Sequence, residues 1–339
     1  MRPALGRHGE VSDAPAPQRH APKRSLVALG RCLVALAILA YLFHQIPLAS
    51  VLDTAAAAAP APLIGAVLFG LLGQAVIADR LRRLVQALGM RLSTLALLQI
   101  NLATVFYGLI LPAGNVTGII ARFYKISRRE PNYAGIAVAL AFERVVATLT
   151  LCLVGIVFWL ADWPAAWPAL ALMLAALAAL LALYVALFAT TPPLMTRLRD
   201  CLGRGRWWSN RLTSLREALR QSQALQRETV VKVFALGILT HGLGIIAFGL
   251  VADALGLDLS LATIAWTRSA AVLIAILPIS VSGLGVREGA MVVLLAPYGI
   301  DAADALAYAL LAFATTILAV GLLGGLLEAW RLVRGPGPG

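Results

Sequence analysis

This chain has few of the residues on which catalysis and redox chemistry depend. Its 339 residues include three cysteines, Cys32, Cys152 and Cys201, and four histidines. Three scattered cysteines do not make a disulfide framework, and neither they nor the histidines recur at ligand spacing, so no metal site is expected. No P-loop is present to couple a nucleoside triphosphate, and no GxSxG or SxxK pattern offers an acyl-transfer nucleophile. Neither enzymatic activity nor a cofactor is therefore expected. Charge is thin as well, at 13% of residues, and acids are the scarcer sign, 16 Asp and Glu against 28 Lys and Arg.

What fills the chain instead is apolar. Hydrophobic residues make up 60% and the mean hydropathy is +0.86, well above the roughly 45–50% apolar share of soluble domains. The composition predicts an all-α polytopic membrane protein. Its formal net charge of +12 is accounted for by cytoplasmic loops, so no nucleic-acid partner is expected. The arginine and alanine bias points to a GC-rich bacterial genome, and hence to the inner membrane.

Residues 1–24, rich in Pro, Arg and His, read as a disordered cytoplasmic tail, and 332–339 as another. Between them, 25–331 form one transmembrane domain. Apolar stretches fall near 26–46, 60–78, 94–121, 134–160, 168–190, 233–252, 261–300 and 305–328, each long enough to enter a hydrocarbon core of about 30 Å. The first is longer than a signal-peptide core and reads as an uncleaved span.

Loop charge sets the orientation. Basic residues crowd the N-terminal tail, the loop with Arg80, Arg82, Arg83 and Arg91, the loop with Lys125, Arg128 and Arg129, the long 194–232 connection, and the tail with Arg331 and Arg334. By the positive-inside rule these are cytoplasmic, as are both termini. The connections at Asp53, Asp162, Asp253 with Asp258, and Asp301 with Asp304 hold no Arg or Lys and face outward. Segment 94–121 then begins and ends inside, and 261–300 begins and ends outside. Each is interrupted by a Leu-Pro followed by small and polar residues: LPAGNVTGIIAR with Pro112, Gly114, Asn115 and Gly118, and LPISVSGLGVRE with Pro278, Ser280, Ser282, Gly283 and Gly285. Proline removes a backbone donor and glycine relaxes the chain, so both read as broken helices. The expectation is six full spans and two oppositely oriented re-entrant hairpins, eight membrane segments in an inverted repeat, with repeat 1 at about 26–160 and repeat 2 at about 168–328. Paired breaks of this kind mark binding sites in repeat-built transporters. Residues 289–300 leave open a short crossing span in place of the second hairpin's return arm. The 194–232 connection carries Leu212, Leu215 and Leu219 at helical spacing, which leaves open a surface helix on anionic headgroups or a solvated loop.

Charges fall within the spans. Glu143 and Arg144 lie near the middle of 134–160, where each costs at least about 2.5–3.5 kcal/mol to insert and requires a partner or a wet cavity. Adjacent helix residues do not face each other, so partners are sought among Arg122, Arg268, Arg287 and Glu288. Glu143 is expected to pair with the second hairpin, Arg287 being favoured over Arg268. Four arginines against two glutamates leave a positive surplus, which suits a phosphate because guanidinium offers a bidentate fork. The alternative is that these charges only lock helices together. Asn101, Asn115, Thr117, Ser280 and Ser282 either bond a headgroup or satisfy backbone freed by the prolines.

The stretches Asn101–Glu130, AFERVV at 141–146 and LPISVSGLGVREG at 277–289 resemble the lysylphosphatidylglycerol synthase transmembrane-region family, flippase-like proteins related to the membrane half of the multiple peptide resistance factor. The resemblance implies a lipid-translocating bundle, with Arg122, Glu143, Arg144, Arg287 and Glu288 at the family's charged positions. Two departures stand out. Asn115-Val116-Thr117 replaces glycines followed by an acidic residue, and Phe313-Ala314 stands where members often carry an arginine. No aminoacyl-transfer domain follows Arg334, so the chain is not expected to be the synthase itself. The expected function is movement of a phosphate-bearing polar or isoprenoid-linked lipid across the inner membrane. The competing reading is a non-transporting subunit that holds lipid for a separately encoded glycosyltransferase or lipid-modifying enzyme.

Overall fold

The computed structural model describes residues 33, 36–38, 40–111, 115–163, 167–189, 217, 225–276, 280 and 283–334. Within them every regular element is a helix. Four helices are long and apolar enough to cross a bilayer unaided: α3 (Pro60–Ala87), α6 (Tyr133–Asp162), α8 (Arg227–Leu255) and a last one, Ala302–Arg331. That last helix is α11 (Ala302–Phe313) joined to α12 (Ala319–Arg334) by a π-helical turn, Ala314–Leu318. The shorter helices are α4 (Thr94–Ile110), α5 (Asn115–Ser127), α7 (Trp167–Ala189), α9 (Leu261–Ile276) and α10 (Val286–Leu295). Apolar side chains such as Ile64, Leu68, Leu72, Val157, Leu160, Ile238, Leu322 and Leu326 face outward, as a lipid-facing surface requires. The chain is a helical membrane protein.

Three expectations from the sequence need correction. The first apolar run does not simply lead into an outward loop at Asp53. Helices α1 (Leu36–Gln45) and α2 (Leu48–Ala57) meet at Pro47 with a bend of 88°, since proline cannot donate to the preceding turn. Val51 of α2 packs with Leu42, Ile46, Leu306 and Ala307, and Thr54 donates to Asp304 at 2.9 Å. The arginines at 80, 82 and 83 are not in a loop either. Leu81, Leu84 and Val85 continue the buried stripe of Ala78 past Asp79, so α3 runs on to Ala87 and the chain turns only at Gly89, φ +80°. At the C-terminal end, residues 332–334 belong to α12 rather than to a tail. The N-terminal tail and the 212–219 leucines lie outside the described residues, whereas 227–232 are the first turns of α8.

Two short helix pairs frame the interior. α4 begins at Ser93, whose side chain accepts from Ala96 N–H at 3.2 Å, and α5 packs back along it. A Cβ on Gly118 would lie 3.2 Å from the Thr104 carbonyl oxygen. The two chain ends of this pair meet, because Arg91 N–H donates to Glu130 at 2.9 Å. Glu130 lies just ahead of α6, separated from it by Pro131 and Asn132, and Asn132 caps its first turn by accepting from Gly135 N–H at 2.9 Å. At the opposite end of α6, the Asp162 carboxylate accepts from Trp266 Nε1 at 2.8 Å, from Thr263 Oγ1 at 3.1 Å and from the Tyr298 hydroxyl. Thr263 and Trp266 open α9, and Tyr298 follows α10, so the second pair is also closed at its base. Thirty residues at 1.5 Å each put about 45 Å between the ends of α6, and one helix pair is tied to each end.

The apolar core is divided along the same axis. Leu81, Leu84, Leu97, Ile100, Ile126, Ile136 and Val233 pack at the Glu130 end. Ala247, Val251, Ala265, Met291, Tyr308 and Ala309 pack at the Asp162 end. Small residues bring helices close where lipid offers no hydrophobic drive. A Cβ on Gly237 of α8 would stand 2.9 Å from Thr150 of α6, and one on Gly324 of α12 would strike the Leu102 carbonyl of α4.

Candidate functional site

Between the two apolar cores lies a cavity of about 370 Å³, at the small end of the roughly 300–1,000 Å³ typical of ligand pockets. Six helices and the π turn contribute to its wall, so its chemistry is assembled from distant parts of the sequence. Arg80 comes from α3, Asn101 and Thr104 from α4, Gly118 and Arg122 from α5, Glu143 and Arg144 from α6, His241 from α8, Arg268 from α9 and Thr316 from the π turn. π turns recur at functional positions because the extra residue re-aims side chains.

Among the described residues Glu143 is the one carboxylate in this wall, and both its oxygens are engaged. Arg80 donates from Nη2 to Oε1, and Arg122 donates from Nη1 to Oε2 at 3.3 Å. Arg80 and Glu143 are almost fully buried, at 2% and 5% exposure. The expected Glu143–Arg287 pair does not form, and its partner Arg80 was not among the sequence candidates. A stripe of apolar residues at helical spacing through 78–85 was the signal that would have revealed it. Three neighbouring basic residues made the segment look like a loop.

Other polar atoms of the wall have no partner among the described residues. Arg80 Nε and Nη1, Arg122 Nε and Nη2, Arg268 Nε and Nη1, and both polar atoms of Asn101 are buried without a partner among the described residues. Arg268 lies across the Phe248 ring, 5.3 Å from its centroid, a favourable cation–π arrangement. Gly244 makes room for it, because any Cβ there would collide with the guanidinium. Arg144 is exposed at the cavity edge. His241 bonds the Ala147 carbonyl at 2.9 Å through Nε2, which makes Nε2 the N–H and leaves Nδ1 unpartnered. Each buried donor left unmade costs about 1–3 kcal/mol, so this wall is suited to a ligand that brings several acceptors and negative charge.

The second turn is a separate cluster. Arg287 pairs with its own neighbour Glu288, which also accepts from Gly285 N–H at 2.7 Å. The Arg287 guanidinium stacks 4.6 Å from the Phe313 ring centroid. Pairing between adjacent residues is possible here because both sit in the first turn of α10. Gly283 and Gly285 adopt φ of +76° and +79°, and a Cβ on Gly283 would approach Ala275 Cβ to 2.6 Å, so the turn is folded tightly onto the end of α9. Ser280 is buried, and its hydroxyl has no partner among the described residues. The structure therefore brings Gly118, Arg122, Glu143, Arg144 and Arg268 together around the cavity, and it places Ser280, Gly283, Gly285, Arg287 and Glu288 at the second turn instead. Asn115 is the first residue of α5. Pro112, Gly114, Pro278 and Ser282 lie outside the described residues.

Among the described residues no group of histidine, cysteine or acidic side chains has the arrangement of a metal site. Lipid-facing helices around an internal, arginine-lined cavity define an integral membrane protein with a polar interior site. The chain matches the family described as Lysylphosphatidylglycerol synthase TM region over residues 28–324, and it belongs to that family. None of the curated proteins matches it significantly.

Proposed function

We propose that the cavity receives the phosphate of a membrane lipid and that the protein carries such headgroups across the bacterial inner membrane. The carrying observation is the wall itself: Arg80, Arg122 and Arg268 line a space with one carboxylate among the described residues, and each keeps guanidinium nitrogens without a partner there. A guanidinium fork matches phosphate oxygens bidentately. A polar interior enclosed by lipid-facing helices lets a headgroup descend while its acyl or isoprenoid tails stay outside. In this reading α4–α5 and α9–α10 are re-entrant hairpins entering from opposite faces, and the chain is an inverted repeat of eight membrane segments. Ties of the two pairs to opposite ends of α6 support that arrangement. The Glu130 end is cytoplasmic and the Asp162 end external, with both termini inside, as the loop charges indicate. The protein acts without chemistry of its own.

The test is reconstitution in liposomes with fluorescent phosphatidic acid and, in parallel, fluorescent phosphatidylglycerol, the outer leaflet being bleached by a membrane-impermeant reductant. The wild type should give loss beyond the half-bleach of protein-free vesicles, and Arg122→Ala should abolish the excess. Lipid bound in the cavity with no transfer would instead identify a subunit that holds lipid for a separately encoded glycosyltransferase or lipid-modifying enzyme. Absence of both binding and transfer would refute the headgroup site.

A further inference from the structure

The charge count of the cavity goes further than phosphate in general. We infer that its ligand is a lipid phosphomonoester, a headgroup that carries two negative charges and no amine, and that aminoacylated lipids are excluded. This inference rests on the headgroup reading and names the chemical class that the same site selects.

Among the described residues four guanidiniums and one carboxylate line the cavity, and Arg144 is exposed at its edge, where water can screen it. Three sheltered ones remain, Arg80, Arg122 and Arg268, against the single carboxylate of Glu143. The sheltered surplus is therefore two positive charges. A phosphodiester would cancel one of them, a zwitterionic headgroup none, and a phosphomonoester both. In surroundings of low dielectric an uncancelled charge is costly, so the closest charge match is favoured strongly.

Hydrogen-bond capacity gives the same answer independently. Both Glu143 oxygens are taken by arginines. Thr104 and Thr240 spend their hydroxyl protons on the backbone carbonyls of Asn101 and Leu236. Among the described residues the wall carries several guanidinium N–H groups without a partner and no unengaged carboxylate. An ammonium brings donors where acceptors are needed, and a lysyl headgroup would bring two cations up to four arginines. A phosphate bonded to lipid through one ester oxygen keeps three terminal oxygens to accept from Arg80, Arg122 and Arg268. Asn101, 3% exposed with both polar atoms unpartnered, completes the cradle through its amide N–H.

The test is competition on the full-length protein in detergent micelles of neutral lipid, using a radiolabelled dioctanoyl phosphatidic acid. Unlabelled dioctanoyl phosphatidylglycerol should compete at least tenfold more weakly than phosphatidic acid, and lysyl-phosphatidylglycerol should not compete. Arg268→Gln breaks no ion pair and should bring the preference for the monoester over the diester to within about threefold of unity. Asn101→Asp supplies the missing acid and should weaken phosphatidic acid at least tenfold while admitting lysyl-phosphatidylglycerol. Size-exclusion elution and melting temperature check that both variants fold, and if one fails the other still decides. Equal or tighter binding of the diester or the lysyl lipid by the wild type overturns the monoester assignment while leaving the headgroup site standing. Inorganic phosphate competing as well as phosphatidic acid would assign the cradle to free phosphate and overturn the lipid class. No binding of any phosphate probe would overturn the headgroup site together with this assignment.

Discussion

The two Leu-Pro breaks look alike in sequence but carry opposite electrostatics. At the first, Arg122 lines the cavity, shares Glu143 with Arg80 and still keeps two nitrogens without a partner among the described residues. At the second, Arg287 is neutralised by the residue beside it, stacks on Phe313, and keeps a single unpartnered nitrogen. The first turn therefore offers donors to a ligand and the second is largely closed on itself. An arginine at a membrane helix break is thus not evidence of a ligand site by its sequence context alone. What distinguishes the two is whether the carboxylate is shared: Glu143 serves both Arg80 and Arg122, whereas Glu288 serves Arg287 alone among the arginines of the described residues.

The largest expected effect tests the shared carboxylate. Glu143→Gln leaves Arg80 and Arg122 buried and uncompensated, and should destabilise by about 3–5 kcal/mol in denaturant titration of the detergent-solubilised protein. Combining it with Arg80→Gln should cost less than the sum of the two single changes, whereas strict additivity would break the pair.

The next comparison sets Arg122 or Arg268 against Arg287. Arg268→Gln should weaken phosphatidic acid binding at least tenfold, about 1.4 kcal/mol, with little loss of melting temperature. Arg287→Gln should do the reverse, lowering stability by a similar or greater amount while lipid affinity holds. Identical behaviour of the two variants would erase the distinction between the turns.

Smaller effects belong to the bases of the helix pairs. Asp162→Asn removes the charge that gathers Thr263, Trp266 and Tyr298, and should cost about 1–3 kcal/mol. Glu130→Gln disturbs one exposed bond to Arg91 and should cost at most about 1 kcal/mol. A ranking in which Glu130 outweighs Asp162 would mean that the first pair depends more on its base than the second does.

Much of this was legible in the sequence. Apolar run length and the two Leu-Pro breaks located the membrane helices and both interruptions, and the buried position of Glu143 followed from its place within an apolar span. Arg80 was not legible as a site residue, because a basic cluster after an apolar run signals a loop, and only the 78–85 stripe argues otherwise. Partner choice was hidden for a different reason. The depth of a residue along its helix can be counted, but its rotation about the helix and the crossing of neighbours cannot, so Glu143 faces α3 and α5 instead of α10. The Arg287–Glu288 pair escaped the rule against neighbouring contacts because a first helical turn lets a glutamate fold back onto the preceding backbone. The kink at Pro47 was present in the sequence, but the packing of Val51 and Thr54 that makes α2 a helix depends on α11, some 250 residues later.

The central claim is that the guanidiniums of Arg80, Arg122 and Arg268 jointly hold a lipid phosphate. Its most direct test is an electron cryomicroscopy map of the protein in nanodiscs containing phosphatidic acid. The account predicts headgroup density in the cavity, within hydrogen-bond distance of all three guanidiniums, with tails leaving between the helices. Lipid density confined to the outer surface, with the three arginines bonded only to protein or water, would contradict it.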